Sequence, residues 1–278
     1  MYKKQTILLT AAFTLLVLLF IFGKTVNPNK PEIKPAAPEN IASLNFNEVL
    51  NNSKQALSIT QKKYLEILEV NIENPEKANK IEALRQLAQF WKDSGRVYEP
   101  YLFYTAEAAK LENSEKSLTF AAQQFTSSLL DVADPSIQNW LATNAKVLFE
   151  KALAINPNND SSKIGLGACY ILGNVSNNPM EGILPVREIA TKNPDNIYAQ
   201  MILGLGGKKS GQLDKAIERF LIIVQKQPNN LSGILNLAEC YELKKDKINA
   251  KIWYLKASGL INNVEIKKEI EKRINELK

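Results

Sequence analysis

The chain has 278 residues, 45% of them hydrophobic and 23% charged, a balance that can bury a core and excludes disorder throughout. Lysine and arginine number 35 against 29 acidic residues, and Lys3 and Lys4 supply two of the six excess charges. The remainder is scattered through mixed-sign segments, too weak a field to point to nucleic acid. Histidine is absent and cysteine occurs twice. That removes Ser-His-Asp and Cys-His catalysis, His-ligated zinc and haem, a disulfide framework and a thiolate metal site. An enzyme built on this chain would need Glu, Asp, Lys or Tyr, and no metal or cofactor is expected.

The N-terminal segment opens with two lysines and then runs from Ile7 to Phe22 without a charge. As a helix this run is about 24 Å long, somewhat short of the ~30 Å hydrocarbon core, and Gly23 with the stems of Lys4 and Lys24 can extend it. A single transmembrane signal anchor over residues 1–24 is therefore expected. A cleaved secretory signal is the competing reading, but the residues after Phe22 supply no clear small-x-small cleavage site. Lys3 and Lys4 favour a cytoplasmic N-terminus and an extracytoplasmic body, with Lys24, Lys30 and Lys34 weakening the contrast. Residues 25–43 carry Pro28, Pro31, Pro35 and Pro38, which favours an extended spacer; a disordered leader fits the same residues. Residues 44–80, with Phe46, Val49, Leu50, Tyr64, Leu65, Ile67, Leu68 and Val70, are expected to be capping helices with this stripe in the core.

A repeat organises the rest. Asn156-Pro157-Asn158-Asn159, Asn193-Pro194-Asp195-Asn196 and Gln227-Pro228-Asn229-Asn230 are spaced by 37 and then 34 residues. Gly167, Gly204 and Ala238 keep those spacings, and so do Phe149, Val186, Phe220 and Tyr254. Several positions in register make a repeat, and each unit reads as two helices, because apolar residues recur at three and four and Asn-Pro stops the second helix. At the C-terminus, Val264, Ile266, Ile270, Ile274 and Leu277 form an apolar stripe that predicts a capping helix over 263–278.

With this spacing the chain resembles the tetratricopeptide-repeat (TPR) family, whose 34-residue unit follows W-x2-L-G-x2-Y, A-x3-F and a closing Pro. Leu203-Gly204, Gly211, Ala216, Phe220 and Pro228 fit that pattern. So do Leu237-Ala238, Tyr241, Ala250, Tyr254 and Ala257, with Asn262 in place of the proline. Leu166-Gly167, Tyr170 and Pro194 fit in a unit with three extra residues near Asn174 to Pro179. Ala145, Phe149, Ala152 and Pro157 supply the second helix of an earlier unit, whose first helix starts at Glu115 and carries Ala121, Ala122 and Phe125, with an insertion near Asp134-Pro135. Leu87-Ala88, Trp91, Gly95, Tyr101 and Ala108 suggest a weaker unit before it. The repeats thus cover 81–262. The resemblance implies an all-α, right-handed superhelical solenoid of antiparallel helix pairs, preceded here by the transmembrane helix, and extends to the anchored TPR proteins of bacterial envelopes.

No nucleotide-binding, EF-hand or Cys-x-x-Cys motif is present. The runs Gly165-Leu166-Gly167 and Leu203 to Gly207 look like phosphate loops, but they sit inside expected helices with no preceding strand, so close helix packing explains them. Glu239 and Glu242 lie three apart on one helix without a feature that would separate their acidities, which suits a solvated face. Cys169 and Cys240 fall at equivalent places two repeats apart, too far for a disulfide, and are expected to be buried thiols.

The function expected is that of a non-enzymatic protein-interaction scaffold, single-pass in the inner (cytoplasmic) membrane with its repeats in the periplasm or extracytoplasmic space. Its partner would be a protein or peptide, not nucleic acid. A catalyst with a non-histidine site in the groove and a self-associating homo-oligomer are the alternatives. In TPR proteins the first helices of successive units line the inner surface, and the residues one place after and two places before the L-G pair face inward. Here these are Ile164 and Ala168, Met201 and Leu205, Leu235 and Glu239, which implies a largely apolar groove. The lysines, arginine and asparagines with which one TPR subclass grips an acidic C-terminus are not the pattern here. A neighbouring helix, such as one from 44–80, covering these positions is the competing reading.

Overall fold

The computed structural model describes residues 44–277 apart from 74–76, 130, 131, 133, 174 and 177. Residues 1–43, with the expected membrane span and proline-rich spacer, lie outside the described residues. None of the described helices is long and apolar enough to cross a membrane.

Among the described residues there is no strand. Among these residues thirteen α-helices follow one another: α1 (Phe46–Ala56), α2 (Ile59–Val70), α3 (Lys77–Phe90), α4 (Tyr98–Glu112), α5 (Glu115–Leu129), α6 (Pro135–Ile155), α7 (Asp160–Leu172), α8 (Met180–Lys192), α9 (Ile197–Lys209), α10 (Leu213–Lys226), α11 (Leu231–Leu243), α12 (Lys247–Leu260) and α13 (Val264–Glu276). From α3 to α12 they pack as five successive pairs, each second helix also touching the first helix of the next pair. The result is a TPR-like helical solenoid, in which each pair buries its apolar face against its neighbours.

The repeated Asn-Pro motif explains why the pairs punctuate so regularly. Asn156 and Asn193 end α6 and α8, the proline after each cannot continue the helix, and Asn159, Asn196 and Asn230 are the N-caps of α7, α9 and α11. Each cap side chain accepts from a backbone N–H in the first turn, Asn159 from Ser162 at 2.9 Å, Asn196 from Ala199 at 3.0 Å and Asn230 from Gly233 at 2.9 Å. Asp134 does the same for α6, where Pro135 occupies the first turn. One four-residue segment therefore stops one helix and starts the next.

Small residues face large ones within the pairs and between them. A Cβ on Gly204 would lie 2.7 Å from the Phe220 ring, and one on Gly165 would collide with Phe149. Gly167 of α7 and Gly182 of α8 approach backbone to backbone, since a Cβ on Gly182 would stand 2.7 Å from the Gly167 carbonyl oxygen. Both glycine runs that look like phosphate loops are thus packed helix interior. Phe149, Phe220 and Tyr254 are fully buried, and they fill the space the small residues leave.

The ends differ from expectation in detail. On α2, Leu65 and Leu68 enter the core, whereas Tyr64, Ile67 and Val70 are exposed, because the core lies on one side of this helix only. Phe46 instead docks α1, stacking on Phe103 of α4 at 4.0 Å and lying 6.0 Å from the Trp140 ring of α6. Ile270 and Ile274 of α13 and Leu277, its C-cap, pack at i, i+4 and i+7 against Ala238, Ala250 and Tyr254. Val264 and Ile266, expected in the same stripe, are exposed. Val264 is rotated off that face, and Ile266 belongs to the helix's first turn, ahead of the packed residues.

Candidate functional site

The first helices of the pairs, α5, α7, α9 and α11, lie side by side and make one continuous face. Its seams change character along the molecule. Between α5 and α7 the seam is polar: the Thr119 and Ser162 hydroxyls share a hydrogen bond of 2.8 Å, and the Gln123 amide donates to Ser161 Oγ at 2.8 Å. Between α7 and α9 it is apolar, with Ile164, Ala168 and Ile171 in one core cluster with Ala199, Ile202 and Leu205. Between α9 and α11 it is polar again. The Lys208 ammonium donates to Glu239 Oε2 at 2.7 Å and to Asn236 Oδ1 at 2.5 Å, bridging the two helices.

The six residues named from the sequence do not form one open strip. Ile164 and Ala168 are each 1% exposed, so this part of the expected groove is closed by packing between first helices. The covering comes from the neighbouring pair, not from residues 44–80, because α7 and α9 approach closely enough to bury these positions between them. Met201 and Leu235 are half-buried and remain accessible, and the Ser232 hydroxyl of α11 lies 4.0 Å from Met201 Sδ. Leu205 is 9% exposed and forms the floor of a cleft of about 340 Å³, walled by Leu129, Gln138, Leu172, Lys208 and Lys209. Glu239 is half-buried and held by Lys208, so the face is amphipathic where a largely apolar one was expected.

Lys208, Lys209 and Asn236 were not singled out from the sequence. Lys208 and Lys209 fall three and four residues from Leu205, and Asn236 three before Glu239, the spacings that place residues on one helix face, and that was the available signal. Lys209 Nζ donates to the Leu172 carbonyl at 2.8 Å, and burial lowers its ammonium below the ordinary lysine value. A second cleft, of about 420 Å³, opens among α3, α4 and α5, where the exposed ring of Phe120 stands with Ala88, Ala108 and Ala109. Its rim carries Arg85, paired to Glu112 at 2.5 Å, and Lys92, 5.5 Å over the Tyr101 ring.

The groups considered for chemistry are occupied by structural partners. Glu242 accepts from Tyr254 OH at 2.7 Å and from Arg273 Nε at 2.9 Å, tying the capping helix to the last pair, while Glu239 is engaged with Lys208. Cys169 and Cys240 are free, buried thiols. Burial pushes them up to about 12 and about 11, so neither is a ready nucleophile near neutral pH. Among the described residues no cluster of His, Cys, Asp and Glu could hold a metal ion.

No protein-family model matches this sequence. Over 210 residues, 72% of this chain, it is 25% identical to the human protein O-mannosyl-transferase TMTC1. Over 122 residues, 40% of this chain, it is 34% identical to the human interferon-induced protein with tetratricopeptide repeats 2. The matches span 22% and 24% of those two relatives, less than a quarter of either. Solved structures that align with it include YrrB, described as a TPR protein with an unusual peptide-binding site, at 17% identity and TM-score 0.43, covering 75% of this chain and 99% of that one. MamA from Desulfovibrio magneticus RS-1 aligns at 21% identity and TM-score 0.43, covering 65% and 94%. The helix-pair repeat of the structure is that of a TPR-like helical solenoid fold, and one of the relatives is named for the same repeat.

Proposed function

We propose that this chain is a protein-interaction scaffold, not a catalyst, and that the face made by α7, α9 and α11 holds an apolar segment of a protein or peptide partner. The observation that carries the reading is that Met201 and Leu235, on adjacent first helices, are half-buried and accessible, with Leu205, one turn along α9 from Met201, lining a cleft. Leu205, Leu172 and Leu129 offer apolar area, and the stems of Lys208 and Lys209, whose ammonium groups are held by Glu239, Asn236 and the Leu172 carbonyl, lengthen the apolar wall. In the finer form of the proposal, residues 7–22 anchor the chain in the cytoplasmic membrane and the repeats work in the periplasm or extracytoplasmic space. The uncharged run after Lys3 and Lys4 motivates that form.

The test is photo-cross-linking of the full chain in native membranes from Met201, with the adducts identified by mass. The expected result is one discrete partner, lost when Met201→Asp and Leu235→Asp are combined while helicity and melting temperature stay unchanged. Adducts made only of copies of this chain would replace the scaffold reading with self-association. Cytosolic protease cutting within the repeats would overturn the orientation.

A further inference from the structure

The last pair carries an apolar surface that its fold does not use. In α12, Ala250, Tyr254 and Ala257 are buried against the neighbouring helices. Roughly on the opposite side, Ile248, Ile252 and Leu255 recur at i, i+4 and i+7 and are 76%, 55% and 53% exposed. The helix is therefore apolar on two faces. A repeat helix does not require this: at the positions 34 residues earlier, α10 carries Asp214, Glu218 and Leu221. The stripe belongs to this sequence and not to the architecture.

The charge around the stripe indicates what would cover it. α12 contains three lysines, Lys247, Lys251 and Lys256, and no acidic residue. At ~100° per residue, Lys251 and Lys256 flank the stripe by about 70° on either side. Both are exposed. α13 next to it has four acidic and four basic residues that cancel, so it does not reverse the local sign. Protein docking surfaces are enriched in aromatic residues and arginine and depleted in lysine, whereas an aliphatic stripe framed by lysines is the composition of a helix lying in a lipid headgroup region. We propose that the outer face of α12 is a contact for an anionic bilayer surface. Ile248, Ile252 and Leu255 enter the headgroup boundary, and Lys251 and Lys256 reach the lipid phosphates. This contact uses none of the residues proposed to hold the protein partner, and it does not require residues 7–22 to span the membrane.

The experiment places an environment-sensitive fluorophore at Ile252→Cys in the full chain, the native thiols being buried, and adds vesicles of phosphatidylcholine and phosphatidylglycerol containing doxyl-labelled lipid. Quenching at this position should exceed severalfold that at Asp214→Cys, the equivalent position one repeat earlier. It should fall to the Asp214→Cys level with phosphatidylcholine alone and in the Lys251→Glu/Lys256→Glu variant, with circular dichroism unchanged in each protein. Equal quenching at the two labelled positions would overturn the proposal. So would protection of Ile252→Cys that rises with protein concentration without lipid quenching, which would assign the stripe to a second copy of the chain. Quenching that survives charge reversal would overturn the part played by the lysines.

Discussion

The first two helix pairs, α3 to α6, and the last three, α7 to α12, solve the same packing problem with different residues. The last three place glycine and alanine at their crossings, opposite Phe220 and Tyr254 in two pairs and opposite Val186 and the Gly182 backbone in the α7–α8 pair, with the first helix of each capped by Asn. The first two use rings against rings. Phe90 meets Trp91 edge-on at 5.3 Å, Phe103 meets Tyr104 at 5.4 Å, and Phe125 lies 5.4 Å from Trp140. Their junctions are irregular as well: a π-helical turn over Trp91–Gly95 leads into left-handed Arg96, and another left-handed residue, Asn113, ends α4. Small-against-large packing fixes the helix separation and so keeps a period, whereas ring clusters tolerate several geometries and allow each pair to depart from it.

The sharpest way to break this comparison is to empty one packing centre in each region. Phe220→Ala and Phe125→Ala each remove a fully buried ring and should cost about 3–5 kcal/mol, measured by denaturant unfolding. The two should differ in reach. Because contacts run mainly between neighbouring helices, Phe220→Ala should expose amides of α9 to α12 to hydrogen exchange and leave α5 and α6 protected. Loss of protection through the whole chain at once would show that the two regions are one cooperative unit.

This contrast also accounts for what could be read in advance. Phe149, Phe220 and Tyr254 were legible because each lies at a fixed offset from a glycine or alanine, and the Asn-Pro motif marked helix ends without reference to tertiary contacts. The fourth residue of that motif, the Asn that caps the next helix, carries a local signal of the same kind. The exposure of Tyr64, Ile67 and Val70 was not legible, since periodicity tells that α2 has an apolar face but not how much of it a neighbour covers. The candidate site fared less well than the fold. Ile164 and Ala168 were correctly placed on a first helix, but whether they face a groove or the next helix depends on the spacing between α7 and α9, which no single repeat encodes. Lys208 reaching Glu239 and Asn236 is likewise a contact between repeats.

A second test addresses the glycine crossings that set the C-terminal period. Gly182→Ala would bring Cβ within 2.7 Å of the Gly167 carbonyl oxygen, a backbone atom that moves only if α7 and α8 separate. Overpacking of this kind costs about 1–3 kcal/mol, more than the gain of at most ~1 kcal/mol from replacing glycine in a helix. Gly259 supplies the control. A Cβ there meets nothing within 4 Å, so Gly259→Ala should stabilise by about 0.5–1 kcal/mol. If both substitutions stabilise, the Gly167–Gly182 approach is not what holds this pair together.

The smallest effect separates two repeats that look alike. The turn between α9 and α10 places Gly211 at φ 72°, and the turn between α11 and α12, 34 residues on, places Lys245 at φ 63°. Both are left-handed, a conformation that costs an ordinary side chain roughly 1–2 kcal/mol and glycine almost nothing. The Lys245 N–H donates to the Glu242 carbonyl at 2.8 Å and the Gly211 N–H to the Lys208 carbonyl at 3.2 Å, so the two turns are closed in the same way. Glycine also gains freedom in the unfolded chain, which offsets about 0.5–1 kcal/mol of any relief. The balance predicts that Lys245→Gly stabilises by up to ~1 kcal/mol and that Gly211→Lys destabilises by a similar amount, read as opposite shifts of the urea midpoint at constant slope. A neutral or negative result for Lys245→Gly, with Gly211→Lys still destabilising, would mean that the Lys245 side chain contributes more to the folded state than its backbone strain removes. The two repeats would then differ in how their turns are stabilised, although their backbones coincide.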